Sequence, residues 1–597
     1  MNKRIDIQIL RALAVIFVVL FHLEVTGIES GFLGVDVFFV VSGFLMAILY
    51  QEGQSKQFFT RRAKRLLPAY FVTVGVTFLV ALFMVKPSEL PQVAEQSIYS
   101  LFFANNFGFW AQNSYFSKSD FNPLLHLWSL AVEIQFYLFV PLLAWFFRKS
   151  KLFLWLGFFG SLAACIFILG LSPKTSFFMM PLRVWEFLIG FIVAYYFTQN
   201  GLTKYQQYTW LGVVGIVGLC LIPLININGE SVSRITGHPG LYALLVCLAT
   251  ALVLAFGLPK YFLQHKIGQS LAKIGDYSYS IYLVHFPIIV LYLYEPFSGT
   301  QLHPHSIIDQ VILFLFIIVA AWLMYHYVEN RKFDHINKVY ASSLLGIVTL
   351  AIATKYVPYF YDEKSKYLFN ALYDRGQIRC GKLVRITDPT ALSCQLNSEN
   401  FAQSVYFLGN SHADAAKEAF TAVASKHQFN TYFSVSNESL LTSNVSPEMV
   451  IADMQRLKSN HLVVHYASRQ LNAPKFEVLE KLVDLAEQQK IKVDFILPVP
   501  IYQKPIPKIM YEQPQIQSLY TKQEYFKDNA DLLADLNQLT TRYQNLKLFT
   551  VIDQFCPTQD CAFANTKGQP YYFDSNHVTL TGAQLMTPIF EQVFKHS

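Results

Sequence analysis

Long apolar runs follow one another over about the first 358 residues of this 597-residue chain. A helix needs about 20 mostly apolar residues to cross a bilayer. The pattern therefore predicts eleven spans, at 7–26, 32–51, 68–87, 128–147, 152–171, 181–199, 208–226, 239–257, 278–295, 307–327 and 339–358. The aromatic stretch 89–127, which polar residues interrupt, predicts an outer loop with interfacial helices.

From about residue 361, short apolar strands alternate with amphipathic helices. This alternation predicts a parallel sheet with helices on both faces, and ligand sites on such a sheet lie at the carboxyl ends of the strands. The strands are expected at about 404–408, 431–436, 461–467, 492–497 and 546–552, and the helices at about 413–426, 475–490, 528–544 and 582–595. The predicted fold is an α-helical polytopic membrane domain with about 11 transmembrane helices, followed by a three-layer α/β domain.

We divide the chain into a membrane domain of ten spans at 1–338, a linking transmembrane helix at 339–358, a linker at 359–400 and the α/β domain at 401–597. The composition agrees with a membrane protein, since 53% of the residues are hydrophobic and only 15% are charged. The net charge of +7 comes largely from loops between apolar runs and not from a basic, aromatic-rich patch. This distribution argues against nucleic-acid binding.

Basic residues predict the orientation of the spans. With the N-terminus inside, the inner loops carry most Lys and Arg residues, including Arg61, Arg62, Lys64 and Arg65, and the outer loops carry about four. Because Lys- and Arg-rich loops stay in the cytoplasm, eleven crossings put the C-terminal domain outside. The first apolar run contains Arg11 and no small-residue cleavage site, so we expect it to be retained as a span.

Four cysteines flank the α/β domain as two close couples, Cys380 with Cys394 and Cys556 with Cys561. Disulfides persist in oxidising compartments, so two disulfide bonds would agree with an outer location. A zinc site is the alternative, although these spacings lack the CxxC pair or matching histidines of most zinc sites. We predict two disulfides and no metal.

A serine follows the first predicted strand of the α/β domain, in the string Gly-Asn-Ser-His at 409–412. On a tight turn that enters a helix, its Oγ would be exposed, with backbone N–H groups near for an oxyanion. At 574–577, Asp-Ser-Asn-His precedes the last helix, and a carboxylate there can orient an imidazole as the base for a serine. Either string alone is often a helix N-cap. Together, on the first and last elements of one domain, they predict a triad of Ser411, His577 and Asp574.

These two strings resemble the first and last sequence blocks of the SGNH hydrolases and transferases. Asn410 departs from the usual Gly-Asp-Ser of the first block. The family's central Gly and Asn, which complete its oxyanion hole, have no clear counterpart near 435–437 or 465–469. The oxyanion hole is therefore left unassigned.

Ionisable residues inside the predicted spans mark a second candidate site, because charges inside a bilayer are costly and usually functional. Arg11 and His22 lie in the first span, and His126, Ser129 and Glu133 share one face of the fourth. Other spans contribute Asp36, Arg183, Glu186 and His285. Each alone could be a satisfied structural group, but five contributing spans predict a lined cavity.

Several strings in the membrane part resemble the membrane acyltransferase-3 family over about residues 5–335. They are the pair Arg11 and His22 with ten residues between them, Phe-Phe-x-x-Ser-Gly-Phe-Leu at 38–45, Arg-x-x-Arg-Leu-x-Pro at 62–68, His-x-Trp-Ser-Leu-x-x-Glu-x-Gln-Phe-Tyr at 126–137 and Ser-Tyr-x-x-Tyr-Leu-x-His-x-Pro at 278–287. With its linking span and SGNH domain, the whole chain is similar to bacterial enzymes that O-acetylate cell-surface glycans.

The resemblance implies a cytoplasmic acetyl-CoA donor, a cell-surface glycan acceptor, and a protein of the bacterial inner membrane whose C-terminal domain is periplasmic or extracytoplasmic. We expect Arg11, Arg62 and Arg65 to bind acetyl-CoA. A pantetheine arm could cover the roughly 16 Å of helix between Arg11 and His22. His22, helped by Glu133, would promote acetyl transfer inside the membrane domain, and the serine triad would acetylate the glycan.

The acceptor predicted here is lipopolysaccharide or another polysaccharide, and peptidoglycan is the alternative. An outer esterase with a membrane anchor is a second possible function, but eleven spans with buried charges exceed what an anchor needs. A transporter of glycans or other solutes is a third, and it would leave Ser411, Asp574 and His577 unexplained. The sequence indicates neither the acetylated position nor the oligomeric state.

Overall fold

A computed structural model describes residues 4–112, 120–229, 231, 233–333, 335–376, 380, 391–434, 440, 445–471 and 473–595. The chain divides into two compact units, Met1–Val357 and Pro358–Ser597. We call them the membrane unit and the C-terminal unit.

Helices make up nearly all of the regular structure of the membrane unit. Within the described residues, nine helical segments are long and apolar enough to cross a membrane: Ile5–His22, Gly31–Leu49, Ser55–Met84, Leu127–Lys149, Lys151–Leu169, Gln206–Leu224, Lys266–Tyr292, Ile307–Glu329 and Ile336–Thr354. Two shorter apolar helices, Val184–Phe197 and Leu241–Phe256, occupy the remaining predicted spans. A two-residue pair of strands, β1 (Thr198–Gln199) and β2 (Leu202–Thr203), follows the first of these. The predicted helical membrane fold is confirmed.

Glycines allow the central helices of this unit to approach closely. A Cβ on Gly275 would lie 2.0 Å from the carbonyl oxygen of Gln8, and one on Gly43 would lie 2.0 Å from that of Phe187. Small residues at such crossings let helix backbones touch. The helix Ile5–His22 thereby packs directly on Lys266–Tyr292.

The third predicted span, 68–87, begins later in the sequence than the helix that contains it. Its helix starts at Ser55 and not near residue 68, so the basic cluster Arg61–Arg65 lies on the helix and not in a loop. The segment 55–67 is rich in Gln, Lys, Arg, Ala and Leu, which favour helix, and its charges hid it from a search for apolar runs. The stretch 89–127 contains the short helices Leu90–Leu101 and Asn105–Ala111.

A six-stranded sheet forms the centre of the C-terminal unit. Its strands are β3 (Ser393–Gln395), β4 (Gln403–Gly409), β5 (Phe429–Ser434), β6 (His461–His465), β7 (Lys492–Ile496) and β8 (Leu546–Phe549), in the order β3-β5-β4-β6-β7-β8. All pairs are parallel except β3 with β5. Alternate residues of β4 enter different cores, Val405 and Phe407 on one face and Tyr406 and Leu408 on the other. Three layers result, as predicted.

The helices of this unit are Glu363–Asn370, Ser411–Lys426, Pro447–Arg456, Ala473–Gln488, Ile506–Glu512, Lys522–Asp528, Ala530–Arg542, Ile552–Phe555, Leu580–Ala583 and Thr587–Lys595. Several short ones, and the antiparallel strand β3, were not predicted. Disulfide bonds join Cys380 to Cys394 and Cys556 to Cys561.

Candidate functional sites

A chain of hydrogen bonds joins Ser411, His577 and Asp574 in the C-terminal unit. The Nε2 atom of His577 lies 2.7 Å from Ser411 Oγ, and its Nδ1 lies 2.6 Å from Asp574 Oδ2. The carboxylate can only accept, so the Nδ1 carries a proton and Nε2 is free to take one from the serine. This is the geometry in which a serine becomes a nucleophile.

The turn after β4 presents the serine. A Cβ at position 409 would lie 2.0 Å from the carbonyl oxygen of His465 and 2.4 Å from the Cβ of Ala413, so only glycine fits. The side chain of Asn410 accepts the N–H of His412 and caps the helix Ser411–Lys426. Ser411 is therefore the first residue of a helix and its side chain is exposed.

The side chain of Asp574 accepts hydrogen bonds from the backbone of its own loop, 574–577, and so fixes the loop's conformation. Its Oδ1 accepts the N–H groups of Asn576 at 2.8 Å and His577 at 2.7 Å. Burial raises the pKa of this carboxyl group, but hydrogen bonds from the side chain of His577 and from these N–H groups outweigh burial and lower the pKa below its ordinary value. The ring of His577 also stacks on Phe573 at 5.5 Å.

Two further residues at this site were not predicted. The buried ring of His412 accepts a hydrogen bond at its Nε2 from the Asn576 amide, 3.1 Å away, and so ties the two loops together. Burial lowers the pKa of His412 well below its ordinary value, and the nearby charges of His577, His465 and Arg469 lower it further. Both residues stand inside the strings that carry the SGNH resemblance, which was the only available signal.

The oxyanion hole is only partly defined. The N–H of Ser411 lies in the first turn of its helix, where backbone donors have no helical acceptor and where the helix dipole favours negative charge. Residues 435–437, near which the sequence has no clear counterpart of the family's central Gly and Asn, lie outside the described residues.

The predicted donor-binding arginines line one cavity of the membrane unit. Arg11, Arg62 and Arg65 form its walls with Glu133 and with apolar and aromatic side chains, and the empty space there, including the part open to solvent, is about 750 Å³. Ser129, which the sequence analysis placed on one helical face with Glu133, also lines it, as do Ser42, Tyr137, Ser278, Tyr279 and Tyr282, which were not assigned a role from sequence. All six lie in or next to the strings that resemble the acyltransferase family.

Glu133 and His22 have different partners. The hydroxyls of Ser42 and Tyr137 both donate to Glu133 inside the cavity. The Nδ1 atom of His22 lies 3.2 Å from Nε2 of His285, beside the ring of Phe286. The structure thus joins Glu133 to the arginine-lined cavity and His22 to a group of buried histidines.

The other predicted intramembrane charges form a compact network. Arg183 donates to Asp36 at 2.9 Å and to His238 at 3.2 Å, and its Nε lies 3.1 Å from Glu186. All four side chains are at most 2% exposed. Such a network ties the helix Gly34–Leu49 to Val184–Phe197, and a structural role accounts for it.

Known families match both units. The family described as "Acyltransferase domain" matches residues 4–326, and the one described as "SGNH domain (fused to AT3 domains)" matches residues 379–592. No solved structure matches the chain.

Two curated relatives are O-acetyltransferases by name. O-acetyltransferase OatA of Staphylococcus aureus is 31% identical over 345 residues, which cover 54% of this chain and 56% of the relative. Peptidoglycan O-acetyltransferase OatA of Listeria monocytogenes is 32% identical over 305 residues, 47% of this chain and 49% of the relative. The chain spans about half the length of these relatives. Because the acyltransferase match alone covers more than half of the chain, this multi-pass membrane protein belongs to the acyltransferase family and carries a fused SGNH domain.

Proposed function

We propose that the protein transfers acetyl groups from cytoplasmic acetyl-CoA to hydroxyl groups of peptidoglycan outside the membrane. The hydrogen-bonded chain of Ser411, His577 and Asp574 is the observation that supports acyl transfer most directly. The Listeria relative, named for peptidoglycan, favours this acceptor over the lipopolysaccharide predicted from sequence.

The arginine-lined cavity is the proposed donor site. Guanidinium groups bind phosphates well, and Arg11, Arg62 and Arg65 stand in a cavity whose other walls are largely apolar and aromatic. This combination suits the charged nucleotide and the apolar arm of acetyl-CoA. The basic residues near Arg62 favour a cavity that opens to the cytoplasm. In this orientation the protein lies in the bacterial cytoplasmic membrane with its N-terminus in the cytoplasm.

The proposed chemistry in the C-terminal unit is ester exchange at Ser411. The membrane unit first passes the acetyl group from acetyl-CoA to the hydroxyl of an acetyl carrier, and CoA leaves as the thiol. His577 Nε2 then takes the Ser411 hydroxyl proton as Ser411 Oγ bonds to the acetyl carbon, the bond from that carbon to the carrier oxygen breaks, and the carrier oxygen leaves with the proton from His577. A glycan hydroxyl next gives its proton to His577 as its oxygen bonds to the acetyl carbon, and Ser411 Oγ leaves with that proton. Asp574 holds the imidazole throughout and stabilises its charged form.

Replacing Ser411 with Ala tests the proposal. Cells that produce S411A should lack the ester-linked acetate that the wild-type protein adds to peptidoglycan, while the protein stays in the membrane. Ser575→Ala, a change at a half-buried serine beside Asp574, is the matched control and should acetylate normally.

Four outcomes would contradict all or part of the proposal. Unchanged peptidoglycan acetate in S411A would exclude the triad, whereas increased acetate would indicate an esterase. Radiolabelled acetyl-CoA given to inverted vesicles should label glycan, and no label would favour a transporter. Label on another surface polysaccharide but not on peptidoglycan would refute the acceptor alone.

A further inference from the structure

His577, the base of the proposed triad, stands on a short hairpin of the C-terminal unit. The N–H of Phe573 donates to the carbonyl oxygen of His577 at 3.1 Å, and Tyr572 and Val578 form an antiparallel bridge. We call residues 571–579 the base hairpin. Because its arms are only a few residues long, its position depends on what its two ends are attached to.

The second arm of the base hairpin runs directly into the helix Leu580–Ala583. The first N–H groups of a helix have no acceptor within the helix itself. Here Asp374 supplies two acceptors: its backbone carbonyl accepts the N–H of Leu580 at 2.8 Å, and its Oδ2 accepts the N–H of Thr581 at 3.2 Å. The same Oδ2 accepts the hydroxyl of Thr581 at 2.6 Å. Asp374 therefore fixes the point at which the base hairpin ends.

Asp374 lies outside the part of the chain that matches the SGNH domain. It belongs to the stretch 359–400, predicted as a linker, and it precedes residue 379, where the SGNH match begins. The next residue, Arg375, also contacts the base hairpin: its guanidinium carbon is 5.5 Å from the ring centroid of Phe573, and that ring stacks on His577. Two adjacent residues before the SGNH match thus contact the base hairpin and the helix after it.

The segment that precedes this pair is anchored on the same unit by the helix Glu363–Asn370. Its Phe369 is buried, and the ring centroid lies 6.1 Å from that of Tyr511. Tyr511 belongs to a helix whose first N–H, on Ile506, donates to the carbonyl oxygen of Asp574 at 3.0 Å. The predicted linker therefore packs against a helix that itself binds the base hairpin.

We propose that Asp374 is a positioning residue that holds the base hairpin where His577 reaches Ser411. This inference rests on the proposed function of the triad. Asp374 acts through the hairpin and not on the acetyl group. When its side chain no longer accepts from Thr581, the end of the hairpin is free to shift, and the 2.7 Å contact between His577 Nε2 and Ser411 Oγ is weakened. The machinery for ester exchange thus begins before the SGNH match.

Substitutions of Asp374 in the full-length, detergent-purified protein test this role. The donor is 4-nitrophenyl acetate, an activated ester that passes its acetyl group to Ser411 Oγ and releases 4-nitrophenolate, after which water frees the serine. The rate of S411A is subtracted as background. Asp374→Asn keeps an oxygen that accepts from Thr581, so we expect it to keep most of the wild-type kcat. Asp374→Leu has a similar volume but no acceptor. It should lose on the order of 10- to 10²-fold in kcat with little change in KM, since a displacement of about 1 Å can cost 10²-fold.

Thr581→Val removes the hydroxyl from the other side of the same contact. It should lower kcat by a smaller factor, and the double variant D374L/T581V should be no slower than D374L, because both changes act on one contact. Asp362→Leu is the matched control. Asp362 is exposed and caps the helix Glu363–Asn370 by accepting the N–H of Ser365 at 2.6 Å. Its loss removes a helix cap from the same segment and leaves the contact with Thr581 in place, so D362L should keep the wild-type kcat.

A lower melting temperature in D374L with an unchanged kcat would overturn the proposal, because Asp374 would then have a purely structural role. An equal loss of kcat in D374N, or in D362L, would do the same. If D374L does not fold, a wild-type kcat in T581V overturns it. Release of 4-nitrophenolate by the wild-type protein no faster than by S411A would instead refute the proposed use of Ser411, which separates the two failures.

Discussion

Asp574 accepts three hydrogen bonds within its own loop, from the backbone of Asn576 and from the backbone and ring of His577. An amide at position 574 could donate to His577 and favour the wrong tautomer. We therefore expect Asp574→Asn to lower acetyl transfer to glycan by about 10²- to 10⁴-fold without loss of folding. Initial rates with the detergent-purified protein, compared with circular dichroism spectra of both variants, would measure this.

The same carboxylate should not limit activity in mild acid. Its pKa lies below the ordinary value, so Asp574 stays ionised from about pH 5 upward. The acid limb of the rate profile is then expected to come from other groups. An acid limb that disappeared in a variant with a different group at 574 would contradict this.

His465 should make the C-terminal unit sensitive to acid. Burial lowers the pKa of His465 to about 4, although a hydrogen bond to the carbonyl of Ile496 opposes the shift. The unfolded chain binds this proton from about pH 6.5 downward, so the free energy of unfolding falls by about 2 kcal/mol between pH 6.5 and 5 from this group alone.

His465→Asn keeps a donor for Ile496 but cannot titrate. The difference in protease resistance of the C-terminal unit between pH 7 and pH 5 should therefore be smaller in this variant than in the wild-type protein. Equal differences would show that other groups cause the acid sensitivity.

Side chains near each other along a strand or turn could be predicted, and those joined by packing could not. Asp574 and His577 are three residues apart in one loop, and Ser411 comes directly after the turn that ends strand β4, so both strings could be recognised from the local pattern. The contact between His22 and His285 joins the first span to the ninth. Its existence depends on how each helix is rotated, which no local pattern gives.

Close packing between the helices Ile5–His22 and Lys266–Tyr292 should be essential for their histidine pair. Gly275→Ala would place a Cβ 2.0 Å from the backbone of Gln8, and the helices would have to separate. We expect reduced thermal stability and a loss of acetyl transfer. Gly75→Ala, on the helix Ser55–Met84, adds a Cβ with nothing within 4 Å and is the matched control.

Thermal shift and acetyl transfer, measured on both purified variants, would distinguish them. Normal stability and activity in the Gly275 variant would show that the contact tolerates a methyl group.

Element boundaries were predictable where hydrophobicity defined them. Ile5–His22 and Ile336–Thr354 lie close to their predicted spans because membrane-spanning helices need apolar side chains along their length. The start of Ser55–Met84 was missed because charged residues also form helices. Strand β3 was missed because a strand of three residues leaves almost no sequence pattern.

At the scale of the whole molecule, the proposed function requires the donor cavity and the serine triad to face opposite sides of the membrane. The linking helix Ile336–Thr354 makes the number of predicted crossings odd. Two exposed positions can report the two sides, Lys56 beside the basic cluster and Gln515 in the C-terminal unit. Each is replaced by Cys in a background without the free cysteines Cys165, Cys220 and Cys247.

A membrane-impermeant maleimide applied to intact cells should label Gln515→Cys, and it should label Lys56→Cys only after the membrane is opened. Deleting residues 336–354 should reverse the result for Gln515→Cys and abolish glycan acetylation, because Ser411 would then remain inside. Labelling of Lys56→Cys in sealed cells would contradict a cytoplasmic donor site. If Gln515→Cys were not labelled in intact cells, the serine triad could not lie outside the membrane. The proposed function would then fail, since acetyl-CoA and peptidoglycan lie on different sides of the membrane.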